Sequence, residues 1–295
     1  MRYANGSAFR RALEDRLRAI SLDDGIPLVR LRKMVAFNRY LTRLAAAFPG
    51  QWLLKGGFAL QLRLGQRSRT TKDIDLLMLD VQDIQSVLLS AGQLDLGDWF
   101  EFEVEVEPVT VEDIRAFGGQ RFQIQSRLDG RVFELFHLDV GMEDPVIDPP
   151  VFLAMPNLLD FADIQPVSVP CYPLTQQIAE KIHAYTRPHP SGQSSRAKDF
   201  VDLLLMISLE QIDGGQLTRA LSATFDSAQT HPLPDHLPSP PQEWQGYFQR
   251  AAKELGLTDI SFTAGIEILS QFANPVLKQQ VNVKIWHPNQ KKWSE

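Results

Sequence analysis

Between residues 52 and 79 the sequence predicts an apolar strand, a helix that begins at a glycine pair, and a second strand. Residues 52–54 predict a short buried strand, Gly56 and Gly57 a turn, and residues 58–64 a helix. Residues 73–79 alternate charged and large aliphatic side chains, which predicts a second strand with one polar face. This order constrains the chain to a sheet with helices packed against it.

The elements around this core extend the same architecture. Helices predicted over 26–48 and 81–91 give the order helix, strand, helix, strand, helix. Alternating stretches predict an antiparallel extension of the sheet, with Asp129-Gly130 as a hairpin turn, over 99–106, 120–126 and 131–140. Helical periodicity then predicts five helices, over 174–185, 197–208, 215–227, 242–255 and 258–272.

Composition shifts along the chain predict five segments. An N-terminal helical segment (1–50) precedes the core (51–145), and a C-terminal helical domain occupies 174–283. The connection between them (146–173) belongs to a stretch with seven prolines, which we expect to exclude regular elements. The polar tail (284–295) is expected to be loosely held.

The overall composition excludes several classes of protein. The chain has 295 residues, 44% of them hydrophobic, and a single cysteine, which excludes an internal disulfide. No stretch approaches the roughly 20 apolar residues that span a bilayer, and no signal-peptide core is found. We therefore expect a cytoplasmic protein without a membrane partner.

Charge is distributed unevenly along the sequence. Residues 1–80 contain 15 Lys and Arg against 7 Asp and Glu, although the whole chain has a net charge of −6. A basic segment of this kind can attract the phosphates of a nucleotide or a nucleic acid. A solvated helical face is the alternative interpretation.

Two short motifs carry the strongest chemical signal. Asp73 and Asp75 are two residues apart on a predicted strand, so both carboxylates point to one side and could hold Mg²⁺ together with substrate phosphates. The free backbone amides of a turn such as Gly56-Gly57 can bind phosphate. The alternatives are the solvated face of an edge strand and an ordinary tight turn.

A third carboxylate, Asp139, lies on a predicted strand that could run beside the strand of Asp73. Three converging acids could hold two metal ions for an in-line displacement. Asp139 could equally pair with Arg131 or Arg127, and the sequence does not decide between these interpretations.

Charged residues also mark two of the predicted C-terminal helices. Lys181 lies at the margin of an apolar stripe, where it could reach a cleft or simply face solvent. Arg196, Asp199 and Asp202 recur every three residues on the next helix. They could form surface ion pairs only, or they could orient Lys181 or Arg69.

Four blocks of sequence together resemble the AbiEii/AbiGii nucleotidyltransferase toxins, a group that includes the mycobacterial MenT toxins. The blocks are Lys55-Gly56-Gly57-Phe58-Ala59-Leu60, Arg69-Thr70-Thr71-Lys72-Asp73-Ile74-Asp75-Leu76, Lys181-Ile182-His183-Ala184 and Arg196-Ala197-Lys198-Asp199-Phe200-Val201-Asp202-Leu203. The last block fits an R-x-K-D-x-x-D-L pattern at every fixed position.

The resemblance implies a fold, an activity and a set of partners. The implied fold is α/β (α+β): a DNA-polymerase-β-like nucleotidyltransferase core with a mixed sheet, followed by a helical domain, with the active site in the cleft between them. The implied enzyme uses an NTP with Mg²⁺, or Mn²⁺, and is the toxin of a type IV toxin–antitoxin pair with a cognate antitoxin. MenT-type relatives modify the 3′ acceptor end of tRNA, which blocks translation.

The resemblance also assigns roles to individual residues. Asp73 and Asp75 would hold metal, and Lys181 and Asp199 would complete the catalytic set. Asp139 is the third candidate metal ligand, from its predicted strand rather than from the resemblance. The nucleotide-binding residues would be Lys55, Gly56, Gly57, Arg69, Thr71, Arg196 and Lys198. RNA phosphates are expected at Arg63, Arg67, Arg69 and Lys72. The alternatives are transfer to a protein or small molecule and a non-catalytic nucleotide-binding regulator.

Overall fold

The computed structural model describes residues 3–65, 68, 71–108, 119–142, 144–188 and 196–295. The chain divides into two compact units. The first comprises Met1–Leu62, Thr70–Met142 and Val151–Cys171, and the second comprises Arg63–Arg69, Glu143–Pro150 and Tyr172–Glu295.

Helices and strands alternate through the first half of the described chain. The helices up to residue 93 are α1 (Gly6–Asp24), α2 (Leu28–Ala47), α3 (Gly56–Leu64) and α4 (Ile84–Gln93). The strands up to residue 171 are β1 (Trp52–Lys55), β2 (Ile74–Met78), β3 (Phe100–Glu107), β4 (Gly119–Leu128), β5 (Arg131–Gly141), β6 (Val151–Ala154) and β7 (Ser168–Cys171). The predicted order of helix, strand, helix, strand, helix is confirmed by α2, β1, α3, β2 and α4.

These strands form one mixed sheet in the first unit, in the order β3-β4-β5-β2-β1-β7-β6. The pairs β2–β5 and β1–β7 are parallel, and the other neighbours are antiparallel. The structure confirms the predicted mixed sheet, its antiparallel extension, and the position of β5 beside β2.

One face of this sheet forms the core of the first unit. Ile74, Leu76, Leu138 and Val140 are completely buried, and α2 and α4 pack against β5 and β3. Phe37 on α2 makes edge-to-face contacts with Phe58 and Phe136, with ring centroids 4.9 Å apart in each pair. Because side chains alternate along a strand, Asp75 and Asp139 point to the opposite face of the sheet.

The proline-rich segment 146–173 contains β6 and β7, so our expectation that it lacks regular elements is wrong. Five of its prolines, at positions 149, 150, 156, 166 and 173, lie outside the two strands and leave the paired backbone intact. Pro170 lies within β7, where it pairs with Phe152 of β6.

The second unit contains the C-terminal helices and a small sheet. Its helices are α5 (Leu174–Thr186), α6 (Ala197–Met206), α7 (Gly214–Ala228), α8 (Gln245–Leu255) and α9 (Phe262–Leu277), which confirm the five predicted ones. Phe200 on α6 packs against Phe248 on α8 and Phe262 on α9, with ring centroids 5.7 and 5.6 Å away.

The C-terminal tail is ordered, contrary to our expectation. Strands β8 (Ile212–Asp213), β9 (Ile285–His287) and β10 (Lys292–Ser294) form a three-stranded sheet in the second unit. The indole Nε1–H of Trp286 donates to the carbonyl oxygen of Ile207 at 2.8 Å, and Trp286 is fully buried. Burial of this large aromatic side chain holds the tail in place. The sequence prediction gave too much weight to the lysines of the tail and too little to its apolar residues.

Within the described residues, the helices are all too short or too polar to cross a bilayer.

Candidate active site

Four charged residues lie at one register position across four neighbouring strands of the first unit. Lys55 on β1 pairs with Asp75 on β2, Asp75 pairs with Asp139 on β5, and Asp139 pairs with Arg121 on β4. Directly opposed residues on adjacent strands point to the same side of a sheet. The two carboxylates therefore lie side by side, with a cation on each flank. We call these four residues the charged row.

The glycine pair contacts the charged row directly. The backbone N–H of Gly57 donates to Oδ2 of Asp75 at 3.3 Å. Gly56 has a φ of +62°, and a Cβ atom at this position would lie 2.0 Å from the same Asp75 oxygen. Glycine is therefore required at position 56 both by the backbone conformation and by the approach of the carboxylate.

The substitution Gly56→Ala should displace Asp75 and lower both stability and activity. Left-handed backbone costs a non-glycine residue about 1–2 kcal/mol, and the collision with the carboxylate adds roughly 1–3 kcal/mol. Gly50→Ala is the matched control, because Gly50 has a φ of +77° with no atom within 4 Å of an added Cβ. Urea unfolding of the two variants would compare these costs. Equal losses of stability in the two variants would show that the Asp75 side chain moves aside at no cost in free energy.

Asp73 precedes β2 and is held differently from Asp75. Its Oδ1 lies 3.3 Å from Nδ1 of His137 on β5, and Nε2 of His137 lies 3.3 Å from Oε1 of Glu107 on β3. The side chain of Asp73 is 41% exposed. His137 thus links an acid of the predicted site to a second acid. Its position two residues before Asp139 is the only signal in the sequence that points to it.

Asp139 forms a two-point ion pair with Arg121. Nε and Nη2 of Arg121 donate to Oδ1 and Oδ2 of Asp139 at 2.7 and 2.8 Å, and Asp139 is only 7% exposed. The alternative partners that we considered, Arg127 and Arg131, are wrong: Arg127 pairs with Glu103 at 2.8 Å. Sequence reasoning missed Arg121 altogether.

Two of the three predicted metal ligands fit a divalent cation. Asp75 lies on β2 and Asp73 comes two residues earlier, just before the strand, and one or two carboxylates with substrate phosphates are the ligands that Mg²⁺ usually takes. The nearby Thr71 hydroxyl is buried and has no hydrogen-bond partner among the described residues, so a ligand could satisfy it. Across the described part of the chain, no three His, Cys, Asp or Glu side chains converge as a metal-binding group.

The charged residues of the C-terminal helices form a separate cluster within the second unit. Nζ of Lys181 lies 2.7 Å from Oδ1 of Asp199 and 3.0 Å from Oδ2 of Asp202, and Nη1 of Arg196 lies 3.4 Å from Oδ2 of Asp199. Both aspartates are 1% exposed, so the interpretation as surface ion pairs is wrong. The structure supports the alternative, in which Asp199 and Asp202 orient Lys181. Lys198 is exposed.

The predicted RNA contacts are only partly described. The side chain of Arg63 is 7% exposed and donates to the carbonyl oxygen of Tyr172 at 2.6 Å. The prediction that Arg63 offers an open contact to an RNA phosphate is therefore wrong. Lys72 is exposed beside Asp73. Arg67 and Arg69 lie outside the described residues.

Other basic side chains near the N-terminus also bind protein groups. Arg10 on α1 donates to the carbonyl oxygens of Leu128 and Arg131 at 2.7 and 3.1 Å. Arg32, Lys33, Arg39 and Arg43 form ion pairs with acidic side chains. The basic character of residues 1–80 therefore serves in part to hold the first unit together, which net charge alone did not indicate.

The mixed sheet, with Asp75 on β2, Asp73 just before it and the glycine pair at the end of the neighbouring β1, fits the nucleotidyltransferase class that the sequence predicts. The family model of the nucleotidyl transferase AbiEii toxin, type IV toxin–antitoxin system, matches residues 39–267. The chain belongs to this family, and it is a nucleotidyltransferase toxin of a type IV system. No curated protein matches the chain.

One solved structure supports the fold. The chain is similar to MenT4, a nucleotidyltransferase toxin of Mycobacterium tuberculosis H37Rv, with a TM-score of 0.57 and 18% identity over 90% of this chain and 98% of that one. It is more distantly similar to JHP933 from Helicobacter pylori, with a TM-score of 0.44 and 12% identity over 84% of this chain and 93% of that one.

Proposed function

We propose that the protein transfers nucleotides from an NTP, with Mg²⁺, to the 3′ acceptor end of tRNA and thereby blocks translation. In this reaction the oxygen of the terminal 3′ hydroxyl forms a bond to the α-phosphorus of the NTP. The bond from that phosphorus to the bridging oxygen breaks, the hydroxyl proton is released, and pyrophosphate leaves.

The observation that carries the proposal is the contact of Asp75 with the Gly56-Gly57 turn, two residues along the chain from Asp73. Asp73 and Asp75 would hold the divalent ion, which would supply neutralising charge to the triphosphate. Gly56 lets the helix start approach Asp75 closely, so that the carboxylate and the turn stay in a fixed relation. The Thr71 hydroxyl and the ammonium of Lys55 are proposed to bind phosphate oxygens.

We assign Lys181 to the triphosphate as well, because of its place in the third matching block of sequence. Asp199 and Asp202 orient its ammonium through contacts of 2.7 and 3.0 Å. Arg196 and Lys198 are proposed as further nucleotide-binding residues, and Arg69 is assigned to the nucleotide on sequence grounds alone.

The acceptor is proposed from the resemblance to the MenT toxins. An RNA 3′ hydroxyl is a suitable nucleophile for nucleotidyl transfer, and Lys72 beside Asp73 offers an exposed cation for a backbone phosphate. We also propose that the protein acts in the cytoplasm and is neutralised by a cognate antitoxin.

Transfer should appear as radioactive label on RNA when the protein is incubated with each α-³²P-labelled NTP and total tRNA. The label should be removed by nuclease and should resist protease. EDTA should abolish it and excess Mg²⁺ should restore it, because without a divalent cation the two carboxylates would repel the negatively charged triphosphate.

Label that resists nuclease and is removed by protease would contradict the assignment of tRNA as the acceptor. Label that protease removes would identify a protein acceptor, and label on neither polymer would favour a small molecule. Nucleotide binding without any labelled product would favour the non-catalytic regulator. Growth arrest without tRNA modification would exclude the proposed route to blocked translation.

A further inference from the structure

We propose that Arg121 restricts the active site to a single divalent ion by holding Asp139 as its own partner. Asp139 is then an anchor for Arg121, and the protein ligands of the metal are Asp73 and Asp75. This inference rests on the metal dependence proposed above, and it specifies how many metal ions the site takes.

The geometry of the Arg121–Asp139 pair carries the first step. Both carboxylate oxygens accept guanidinium hydrogen bonds, at 2.7 and 2.8 Å. Parallel two-point pairs between arginine and carboxylate are among the strongest ion pairs, and they fix the orientation of both groups. A metal ion would have to displace these bonds before it could use Asp139 as a ligand.

Burial carries the second step, since it distinguishes Asp139 from Asp73. Asp139 is 7% exposed and lies on a strand paired on both sides, with β4 and with β2. Asp73 is 41% exposed and lies just before its strand, with a single contact of 3.3 Å to His137 among the described residues. A cation arriving from solvent therefore meets Asp73 at a lower desolvation cost than Asp139.

The charges of the row carry the third step. Asp75 and Asp139 are opposite each other on adjacent strands, where like charges destabilise a sheet unless cations compensate them. Lys55 and Arg121 flank the two acids in the same register and supply that compensation. A second metal ion would otherwise be needed to neutralise Asp139, and the guanidinium of Arg121 takes its place.

The inference is tested by titrating the full chain with Mn²⁺ and following the free ion by electron paramagnetic resonance. The wild-type chain should bind one Mn²⁺. Asp139→Asn should bind it with an affinity within about twofold of wild type, as expected for a group outside the coordination shell. Asp75→Asn should weaken binding by roughly tenfold or more, because it removes a ligand.

Arg121→Met provides the complementary result, because it leaves Asp139 available and should create a second Mn²⁺ site. Arg127→Met is the matched control: Arg127 lies on the same strand and pairs with the exposed Glu103 at 2.8 Å. It should leave Mn²⁺ binding unchanged. Circular dichroism of each variant would verify the fold.

Two results would overturn the inference while leaving the proposed function intact. One is a loss of Mn²⁺ affinity in Asp139→Asn as large as that in Asp75→Asn. The other is an Arg121→Met chain that still binds a single ion. Failure of the wild-type chain to bind any Mn²⁺ would instead overturn both this inference and the proposed metal dependence.

Discussion

Asp73→Ala is expected to lower the transfer of labelled nucleotide to RNA by at least roughly a thousandfold. A bound divalent ion supplies several kcal/mol of charge stabilisation to such a reaction, and about 4 kcal/mol corresponds to a thousandfold in rate. Removal of one of two proposed ligands should forfeit most of that contribution. The variant should also relieve growth arrest when it is expressed in cells.

A loss of folding would not explain this result, because Asp73 is 41% exposed on its side chain and lies outside the regular strand. Its thermal unfolding midpoint should therefore stay close to that of the wild-type chain. Asp23→Ala, at an exposed position of α1, is the control for loss of a negative charge. Undiminished transfer by Asp73→Ala would exclude the proposed mechanism.

Local sequence signals predicted the part of the site that depends on neighbours along the chain. The strand, glycine turn and helix over 52–64 and the strand that carries Asp75 follow from side-chain periodicity and from the conformational freedom of glycine. These signals act over a few residues. The alternation over 131–140 predicted that Asp139 lies on a strand, for which a place beside β2 was one option, and the structure has it there.

The partners of these acids could not be predicted, because they depend on strand register. A regular hairpin with a two-residue turn at Asp129-Gly130 would place Gln120 opposite Asp139. The register instead shifts between Ser126 and Arg127, which brings Arg121 opposite Asp139. A shift of one residue reverses the face to which every later side chain points. Nothing in the local sequence marks this bulge, so the ion pair was not found.

Burial limited the other predictions in a similar way. Asp199 and Asp202 were considered as surface groups because their spacing resembles that of many exposed helices, but both are almost completely buried beside Lys181. The charge of a residue is visible in the sequence, whereas its partner and its solvent exposure are properties of the folded chain. The basic N-terminal residues illustrate the same limit, since several of them bind acidic side chains.

Asp98→Asn is expected to destabilise the protein by about 3 kcal/mol, since breaking a buried ion pair leaves an uncompensated charge. Asp98, Arg39 and Arg43 are all at most 4% exposed. Oδ1 and Oδ2 of Asp98 accept from Nη2 of Arg43 and Nε of Arg39, each at 2.6 Å. Arg43 also donates to the carbonyl oxygen of Phe100 at 2.8 Å, so the cluster joins α2 to the start of β3.

The same substitution should remove a pH dependence of stability. Burial alone would raise the pKa of Asp98, but the hydrogen bonds and charges of Arg43 and Arg39 outweigh it and lower that pKa. A lowered folded-state pKa adds stability above the unfolded-state value of about 3.9, and this stability is lost as the pH falls through the folded-state pKa. The difference in the free energy of unfolding between wild type and Asp98→Asn should thus be largest at neutral pH and should decrease in acid.

Urea unfolding at neutral and acidic pH measures this difference directly. Asp15→Asn is the matched control, because Asp15 pairs with Arg18 at 3.2 Å while both side chains are more than half exposed. Such a pair contributes little to stability, since water screens it and the side chains lose entropy when they pair. If Asp98→Asn were as stable as the control at neutral pH, the attraction between Asp98 and the two arginines would only offset the free-energy cost of removing their charges from water. The three side chains would then specify how α2 packs on the sheet without adding to the free energy of unfolding.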